Sequence, residues 1–285
     1  MKDIFKEKIF FYISKIFAFL SLALLISIFI TLFIEALLAI KTFGFSFLIS
    51  THWSPNKEQF GAASAIYGSI ISTTLAMTFA IPISIGIAIF INEICPKKFK
   101  TIISSCIELL ASIPSIVYGM WGLFYLTPII GKLFGGVGLG ILSASIILSV
   151  MILPFMSIIT KECMQTTPNI LKESAYALGA TKFEIIKDII LPHVKIGVIG
   201  GIILALGRAL GETMAVTFVI GNAHKITNLI SPATNIPATL ANEFAEADSD
   251  IYYSSLFYLA LILFCLSFLI IATAKFYLLN RIKRK

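Results

Sequence analysis

Long stretches without an ionisable side chain constrain this chain more than any other feature. Residues 16–34 carry no charge, and the further uncharged stretches have comparable or greater length: 59–92, 109–131, 133–160 and 251–274. A helix that crosses the hydrocarbon core of a bilayer needs about 20 such residues. Transmembrane β-strands are only about ten residues long and alternate apolar with polar side chains. The sequence therefore predicts an all-α, polytopic transmembrane helical bundle.

Composition supports this interpretation and excludes several others. Hydrophobic residues make up 58% of the 285 residues and charged residues 13%, whereas soluble domains have about 45–50% and about 25%. The first apolar stretch reaches Ile34, well beyond a secretory signal core, so we interpret it as a retained span. The four cysteines show no C-x-x-C spacing. A disulfide framework or a metal site is therefore not expected.

Hydropathy predicts six spans, and together they define the expected organisation of the chain. The spans lie near residues 16–40, 66–91, 101–127, 139–160, 196–220 and 251–276. Pro114 should kink the third span, because proline removes a backbone donor. We expect residues 1–60 to form an N-terminal span with an external loop. Residues 61–285 should form the main transmembrane domain, with a cytoplasmic loop at 161–195.

The distribution of basic residues predicts the orientation of these spans. The chain carries 22 Lys and Arg against 15 Asp and Glu, a net charge of +7. Of the 22, 17 fall in the two termini, the loop between spans 2 and 3 and the segment between spans 4 and 5. By the positive-inside rule, both termini are cytoplasmic. The positive charge thus records membrane topology and does not indicate nucleic-acid binding.

The segment between spans 4 and 5 carries two sets of helix signals. Thr167 is a candidate N-cap followed by Pro168, and Gly179 stands where a glycine ends a helix. Thr181 and Glu184 then have the spacing of a capping box, and Pro192 should end the second helix. Its apolar stripe comprises Phe183, Ile185, Ile186, Ile189 and Ile190.

Three functions are compatible with two short amphipathic helices around a glycine bend. A DNA-reading helix-turn-helix is disfavoured, because the segment is tethered between two spans. An inert helix pair lying in the lipid headgroups is the second possibility. A docking surface for a cytoplasmic partner is the third.

The same segment resembles a sequence signature of ABC importer permeases. Glu173-Ser174-Ala175, Gly179 and Ile189-Ile190-Leu191-Pro192 match its E-A-A-x3-G-x9-I-x-L-P pattern, with Ser174 replacing the usual first alanine. The resemblance implies a type I importer fold (MetI-like), in which this loop packs into a groove on an ATPase subunit. The residues implied in coupling are Glu173, Ser174, Ala175, Gly179, Ala180, Leu191 and Pro192. Gly179 also has a physical reason to be there, since glycine allows a sharp turn and a close approach of the partner.

Span 5 contains two charges where lipid-facing charges are costly. Arg208 lies near the middle of the predicted span, and Glu212 follows four residues later on the same helical face. The two side chains either neutralise each other as a structural lock or serve an anion in transit. A guanidinium offers a fork of donors that matches a tetrahedral oxyanion and stays charged. Small residues repeat around the pair, and helix packing alone accounts for them; they are Gly197, Gly201, Ala205 and Ala209 in one row, and Gly207, Gly211 and Ala215 in another.

The residues around Arg208 resemble one branch of these permeases. Residues 207–213 read G-R-A-L-G-E-T and continue as Met-Ala-Val, which is similar to the PstC permeases of phosphate importers rather than to their partner PstA. The likeness extends from Trp53 to the end of span 6. It implies a substrate pathway that includes Arg208, Glu212 and Thr213. It also implies a heterodimer with PstA, two copies of the ATPase PstB and an external binding protein, PstS, in a bacterial inner membrane.

The remaining features fit a transport subunit. No G-x-x-x-x-G-K-[ST] motif occurs, so ATP and Mg²⁺ should be bound by a partner ATPase and not by this chain. The glycines of 135–140 lack a preceding strand and are interpreted as a flexible turn. Glu108 either faces the cavity or reaches cytoplasmic water. The acids near the start of span 6 are expected to form a solvated external face: Glu243, Glu246, Asp248 and Asp250.

We therefore predict a permease subunit, without an ATPase site of its own, of an ATP-driven importer of inorganic phosphate. One alternative is a permease for another oxyanion, such as molybdate or phosphonate. The other is a secondary anion transporter, which the docking-loop signature disfavours.

Overall fold

Helices make up nearly all of this computed structural model, which describes residues 2–283. In chain order the α-helices are α1 (Lys2–Glu35), α2 (Leu37–Phe43), α3 (Ser46–Ile49), α4 (Ala63–Ile89), α5 (Lys97–Ser112), α6 (Ser115–Trp121), α7 (Thr127–Phe134), α8 (Ile141–Gln165), α9 (Asn169–Ala177), α10 (Lys182–Glu184), α11 (Leu191–Leu210), α12 (Met214–Ile220), α13 (Ile236–Glu243) and α14 (Asp250–Lys283). Short π-helices extend three of them, at Phe90–Ile94, Gly122–Leu126 and Ile185–Ile190. Arg284 and Lys285 of the basic tail lie outside the described residues.

Six helical stretches within residues 2–283 are long and apolar enough to cross a membrane. They are Ile9–Glu35, Ala63–Ile94, Ser115–Phe134, Ile141–Gln165, Lys182–Leu210 and Asp250–Phe276. The predicted all-α class and the number of spans are confirmed. The third and fifth spans differ most from the predicted bounds, and in both cases backbone chemistry explains the difference.

Pro114 divides the predicted third span into two helices. Ile113 and Pro114 both have extended ψ angles, of 130° and 139°, so α5 ends at Ser112 and α6 begins at Ser115. The residue before a proline avoids the helical region, which is why a break replaces the expected kink. The membrane-crossing stretch therefore starts 14 residues later than predicted, at Ser115 rather than residue 101. Helix α5, which carries Glu108, is a separate helix with no buried residue.

Helices α4 and α8 form the centre of the bundle. In the most apolar 18-residue stretch of α8, two thirds of the residues are buried. In the corresponding stretch of α1, no residue is buried. Small side chains line the contact between α4 and α8, including Ala76 and Ala80 from α4 and Ala144 from α8. Within a membrane, such residues let helices approach closely and gain van der Waals contact. Helix α1 lies at the periphery, where most of its described apolar side chains are exposed.

The chain between α1 and α4 packs back onto the start of α14. Phe47 stacks on Tyr258 with ring centroids 4.6 Å apart, and Phe60 stacks on Tyr252 at 4.9 Å. The backbone N–H of Ala39 donates to Ser254 Oγ at 2.9 Å. These contacts tie the predicted external loop to the sixth span.

Candidate translocation and coupling site

Helix α9 opens the segment between the fourth and fifth spans. Its N-cap is Pro168, with φ −59° and ψ 133°, and not Thr167 as predicted. Because Pro168 adopts an extended conformation, Thr167 lies one residue too early to cap the helix. The Thr167 hydroxyl is buried and has no hydrogen-bond partner.

Gly179 ends α9 as predicted, and its backbone conformation explains the choice of glycine. Its φ is +88°, in the left-handed region that residues with a Cβ avoid. Ala180 N–H donates to Ala175 O and Gly179 N–H to Tyr176 O, both at 3.0 Å. This pair of bonds is a Schellman motif. The bend between α9 and α10 is therefore set by backbone geometry.

The second helix starts at the predicted capping box and then continues into the membrane. Glu184 N–H donates to Thr181 Oγ1 at 3.4 Å, and Thr181 N–H donates to Glu184 Oε2 at 2.7 Å. The prediction that Pro192 ends this helix is wrong. A π-helix at Ile185–Ile190 precedes Pro192 and joins α10 to α11 without a break. The wider π-turn changes the backbone hydrogen-bonding pattern just before Pro192. The N–H that proline lacks therefore does not end the helix.

An exposed apolar face surrounds the glycine bend. Leu178 is 89% exposed and Phe183 71% exposed, and Ile170 and Tyr176 are also exposed. Ala175 points the other way, into a cluster with Ile185 and Ile190. Exposed apolar surface of this kind is typical of a site that contacts another protein or the membrane. We refer to these four exposed side chains as the loop face.

The other predicted coupling residues flank the loop face. Glu173 and Ser174 are exposed on α9. Ala180 and Leu191 are partly buried against the cluster that holds Ala175. Pro192 is exposed at the start of α11.

A break after Leu210, where the fifth membrane-crossing stretch ends, separates Arg208 from Glu212. Arg208 therefore lies in the last turn of that stretch and not near its middle as predicted. Helix α11 ends at Leu210 and α12 begins at Met214, so the two charges do not share one continuous helix as predicted. Glu212 is buried, and its Oε1 accepts the Ala215 N–H at 3.3 Å, near the start of α12. Thr213 Oγ1 donates to Gly211 O at 3.3 Å. The carboxylate thereby binds a backbone N–H in the first turn of α12, the helix that follows the break.

Among the side chains that the structure describes, none is an acidic partner of Arg208. Among the described side chains, the ion pairs join Lys161 to Glu108, Lys172 to Glu93 and His224 to Glu243, and none includes Arg208. The Arg208 side chain is exposed, and its guanidinium carbon lies 6.0 Å from the centroid of the Phe155 ring. The predicted structural lock between Arg208 and Glu212 is therefore not formed.

The small residues of α11 serve packing. A Cβ on Gly197 or Gly201 would overlap side chains of α8, those of Cys163 and Ile159. Ala205 and Ala209 of the same row are buried. Gly207 faces Ile271 of α14. These contacts hold α11, and with it Arg208, against the central helix.

Comparison with known proteins identifies the family. The model of the binding-protein-dependent transport system inner membrane component family matches residues 80–284. The chain belongs to this family. Its members are permease components and not ATPases, in agreement with the prediction that another subunit binds ATP.

Individual relatives in the family match almost the whole chain in sequence. The phosphate transport system permease protein PstC of Mesorhizobium japonicum is 48% identical, with 96% of this chain and 90% of the relative covered. PstC of Haemophilus influenzae is 42% identical, with 94% and 92% covered. The predicted resemblance to phosphate permeases is confirmed.

Solved structures in the same architecture confirm the fold. A chain of a bacterial alginate ABC transporter, in complex with its alginate-bound periplasmic protein, superposes with a TM-score of 0.65 at 17% identity, covering 93% of both chains. A chain of the inward-facing MetNI methionine ABC transporter gives 0.61 at 16% identity, covering 77% of this chain and 94% of that chain. The chain thus has the fold of an ABC importer permease and is a multi-pass inner-membrane protein.

The prediction for Glu243 is wrong. This carboxylate is largely buried and accepts hydrogen bonds from Trp53 Nε1 at 3.1 Å and from the Tyr252 hydroxyl, and it pairs with His224 Nε2 at 3.2 Å. Trp53 stacks on the His224 ring at 5.0 Å. Trp53 lies 190 residues from Glu243 along the chain, so only tertiary structure brings it into this cluster. Glu246, Asp248 and Asp250 are exposed, as predicted.

Removal of the Glu243 charge should destabilise this cluster. Burial raises the pKa of Glu243, but the hydrogen bonds from His224, Tyr252 and Trp53 outweigh it, so the pKa is below its ordinary value. A carboxyl group whose pKa is lowered in the folded protein stabilises the fold at neutral pH. This stabilisation is lost as the pH falls and the carboxylate is protonated. We expect Glu243→Gln to cost about 1–3 kcal/mol at pH 7 and progressively less in acid. Thermal unfolding of the purified protein across pH measures this, with exposed Glu246→Gln as control; an equal loss at every pH would contradict it.

Sequence reasoning also missed a polar cluster where α5 meets α8. Lys161 Nζ donates to Glu108 Oε1 at 3.0 Å and to Ser104 Oγ at 2.6 Å. The bonds from Lys161 and Ser104 lower the pKa of Glu108 below its ordinary value. Glu108 thus neutralises a buried lysine.

Proposed function

We propose that this chain, the permease component of a binding-protein-dependent phosphate transporter, conducts inorganic phosphate past Arg208. The single observation that carries the proposal is a guanidinium with no acidic partner among the described side chains, beside the break after Leu210. An intramembrane arginine that lacks an acidic partner is costly unless it serves a pathway. Discontinuous helices also place ion-binding groups within the membrane in other transporters. Inorganic phosphate offers the tetrahedral oxygens that the guanidinium fork matches.

The roles of Glu212 and Thr213 follow from the same break. Glu212 keeps negative charge near the pathway, which prevents the site from holding an anion too tightly. Its hydrogen bond to Ala215 N–H keeps the carboxylate beside α12. Thr213, partly exposed at the break, adds a hydroxyl to the pathway.

The loop face is the proposed contact with the ATPase. Its four apolar side chains supply the buried centre of an interface, and Glu173 and Ser174 supply a polar edge. The proposed coupling residues also include Gly179, which shapes the bend. Ala180, Leu191 and Pro192 connect the bend to α11. The complex proposed is a heterodimer with PstA, two copies of PstB that bind ATP and Mg²⁺, and the external binding protein PstS.

The proposed orientation places both termini in the cytoplasm. Lys172 and Glu93 are in contact, so the 2–3 and 4–5 connections meet at one end of the bundle. Those two connections also carry much of the basic charge, as expected for the cytoplasmic side. Residues 1–60 would precede the permease domain at 61–285.

Transport would proceed by alternating access. The loaded binding protein docks outside, ATP binding closes the PstB pair, and the loop faces of the two permeases are drawn together. The spans then switch the side from which Arg208 is reached, and phosphate leaves toward the cytoplasm.

Reconstitution of the whole complex in proteoliposomes tests this function. We expect phosphate uptake that requires ATP, the ATPase and the binding protein together. Excess molybdate or phosphonate should leave uptake unchanged. Uptake without the ATPase would instead identify a secondary transporter, and loss of uptake under competition would identify another oxyanion as the substrate.

A further inference from the structure

Lys172 of the coupling helix α9 is paired with a residue of the second span. Its Nζ lies 2.6 Å from Glu93 Oε1, and the two side chains are only 19% and 13% exposed. Glu93 belongs to the π-helix Phe90–Ile94 that ends the span begun by α4. Charge-assisted hydrogen bonds of this kind are short and directional, and partial burial limits their screening by salt.

The pair attaches α9 to the second span, in addition to its short chain connection to α8 and its attachment to the fifth span. The attachment to the fifth span is made through Ala175 packed beside Ile185 and Ile190 and through the short connection to α10. Apolar contacts allow helices to slide, whereas an ion pair resists separation of its two groups. Within the described part of the chain, Lys172–Glu93 is the only ion pair of α9.

The backbone segment that carries Glu93 is itself hydrogen-bonded to α8. Asn92, next to Glu93, donates from Nδ2 to Lys161 O at 2.8 Å and accepts from Gln165 Nε2 at 3.4 Å. Both partners lie at the end of α8, the central helix. A force on Glu93 therefore reaches a π-helix that is bonded to the centre of the bundle.

We propose that Lys172 and Glu93 are positioning residues that transmit the displacement of α9 to the second span. The inference rests on the proposed function, because it assigns a mechanical role within the coupling of ATP hydrolysis to transport. The loop face receives the motion of the ATPase, and the fifth span follows α9 through packing. The ion pair makes the second span move with it, so that both sides of the pathway switch together.

The test measures phosphate accumulated per ATP hydrolysed by the complete complex in proteoliposomes. The variants are Lys172→Met, Glu93→Gln and the reversed pair Glu93→Lys with Lys172→Glu. The matched control is Lys187→Met, an exposed lysine of the same segment. We expect each single change to lower the ratio about fivefold while ATP hydrolysis continues, as is typical of a lost coupling energy. The reversed pair should return the ratio to near the wild-type value.

Two outcomes would overturn the proposal. One is a ratio in both single variants equal to that of Lys187→Met. The other is loss of the ATPase during purification that the reversed pair does not repair, since the residues would then serve assembly alone. A wild-type complex that accumulates a different oxyanion would contradict the phosphate assignment only, because the ratio for that oxyanion still measures coupling.

Discussion

Arg208→Ala should reduce phosphate uptake by the assembled complex about 100-fold. The guanidinium has no acidic partner among the described side chains, so in the proposed pathway its donors are available to the substrate. Loss of about 3 kcal/mol of charge-assisted hydrogen bonding corresponds to about two powers of ten. Initial rates of uptake in proteoliposomes, at saturating ATP and binding protein, measure the effect.

Two further variants separate substrate contact from charge and from folding. Arg208→Lys keeps the charge but loses the planar fork, so its uptake should fall between those of wild type and Arg208→Ala. Lys132→Ala, at an exposed cation in the last turn of α7, should transport normally. Arg208→Ala activity within twofold of wild type would remove Arg208 from the pathway.

Gly179→Val should uncouple the complex and weaken its retention of the ATPase. The φ of +88° at this position is strained for any L-residue and most strained for a β-branched one. The left-handed conformation costs a residue with a Cβ about 1–2 kcal/mol. Relief of that strain would break the Schellman bonds and turn the loop face away from its partner. We expect at least about a tenfold fall in uptake, together with less ATPase in the purified complex.

Gly179→Asn distinguishes between the two physical reasons for a glycine here. Asparagine tolerates the left-handed region, so it should preserve the bend. Within this chain a Cβ at Gly179 meets no atom within 4 Å. Near-normal transport by Gly179→Asn would show that only the backbone conformation matters, and failure of both variants would show that the ATPase approaches the glycine closely. Normal uptake and retention in Gly179→Val would contradict the assigned coupling role.

Local sequence determined the features that depend on neighbouring residues. Uncharged stretches determined the number of spans, because the cost of charge in lipid applies to each helix separately. The capping box at Thr181 and the terminating Gly179 were also predicted correctly, since each depends on backbone groups within a few residues. The signature around Glu173 and Gly179 led to the family, which the comparisons then confirmed.

Predictions about prolines and charged pairs failed where packing and backbone context compete with a local rule. Pro114 breaks a helix that was expected only to kink, whereas Pro192 continues a helix that it was expected to end. A π-helix before Pro192 makes the difference, and its occurrence is not visible in residue spacing. The i+4 relation of Arg208 and Glu212 likewise assumed a continuous helix, which the Gly211–Thr213 break removes.

Hydropathy and capping are local properties, so the six spans and the caps at Gly179 and Thr181 follow from neighbouring residues alone. Which charges are paired depends on the packing of helices that are distant along the chain. Glu243 meets Trp53 from 190 residues away and Lys172 meets Glu93 from 79 residues away, distances along the chain at which spacing carries no information about contact. Ion pairing depends on where helices cross, and among the described side chains that same packing gives Arg208, beside the break after Leu210, no acidic partner.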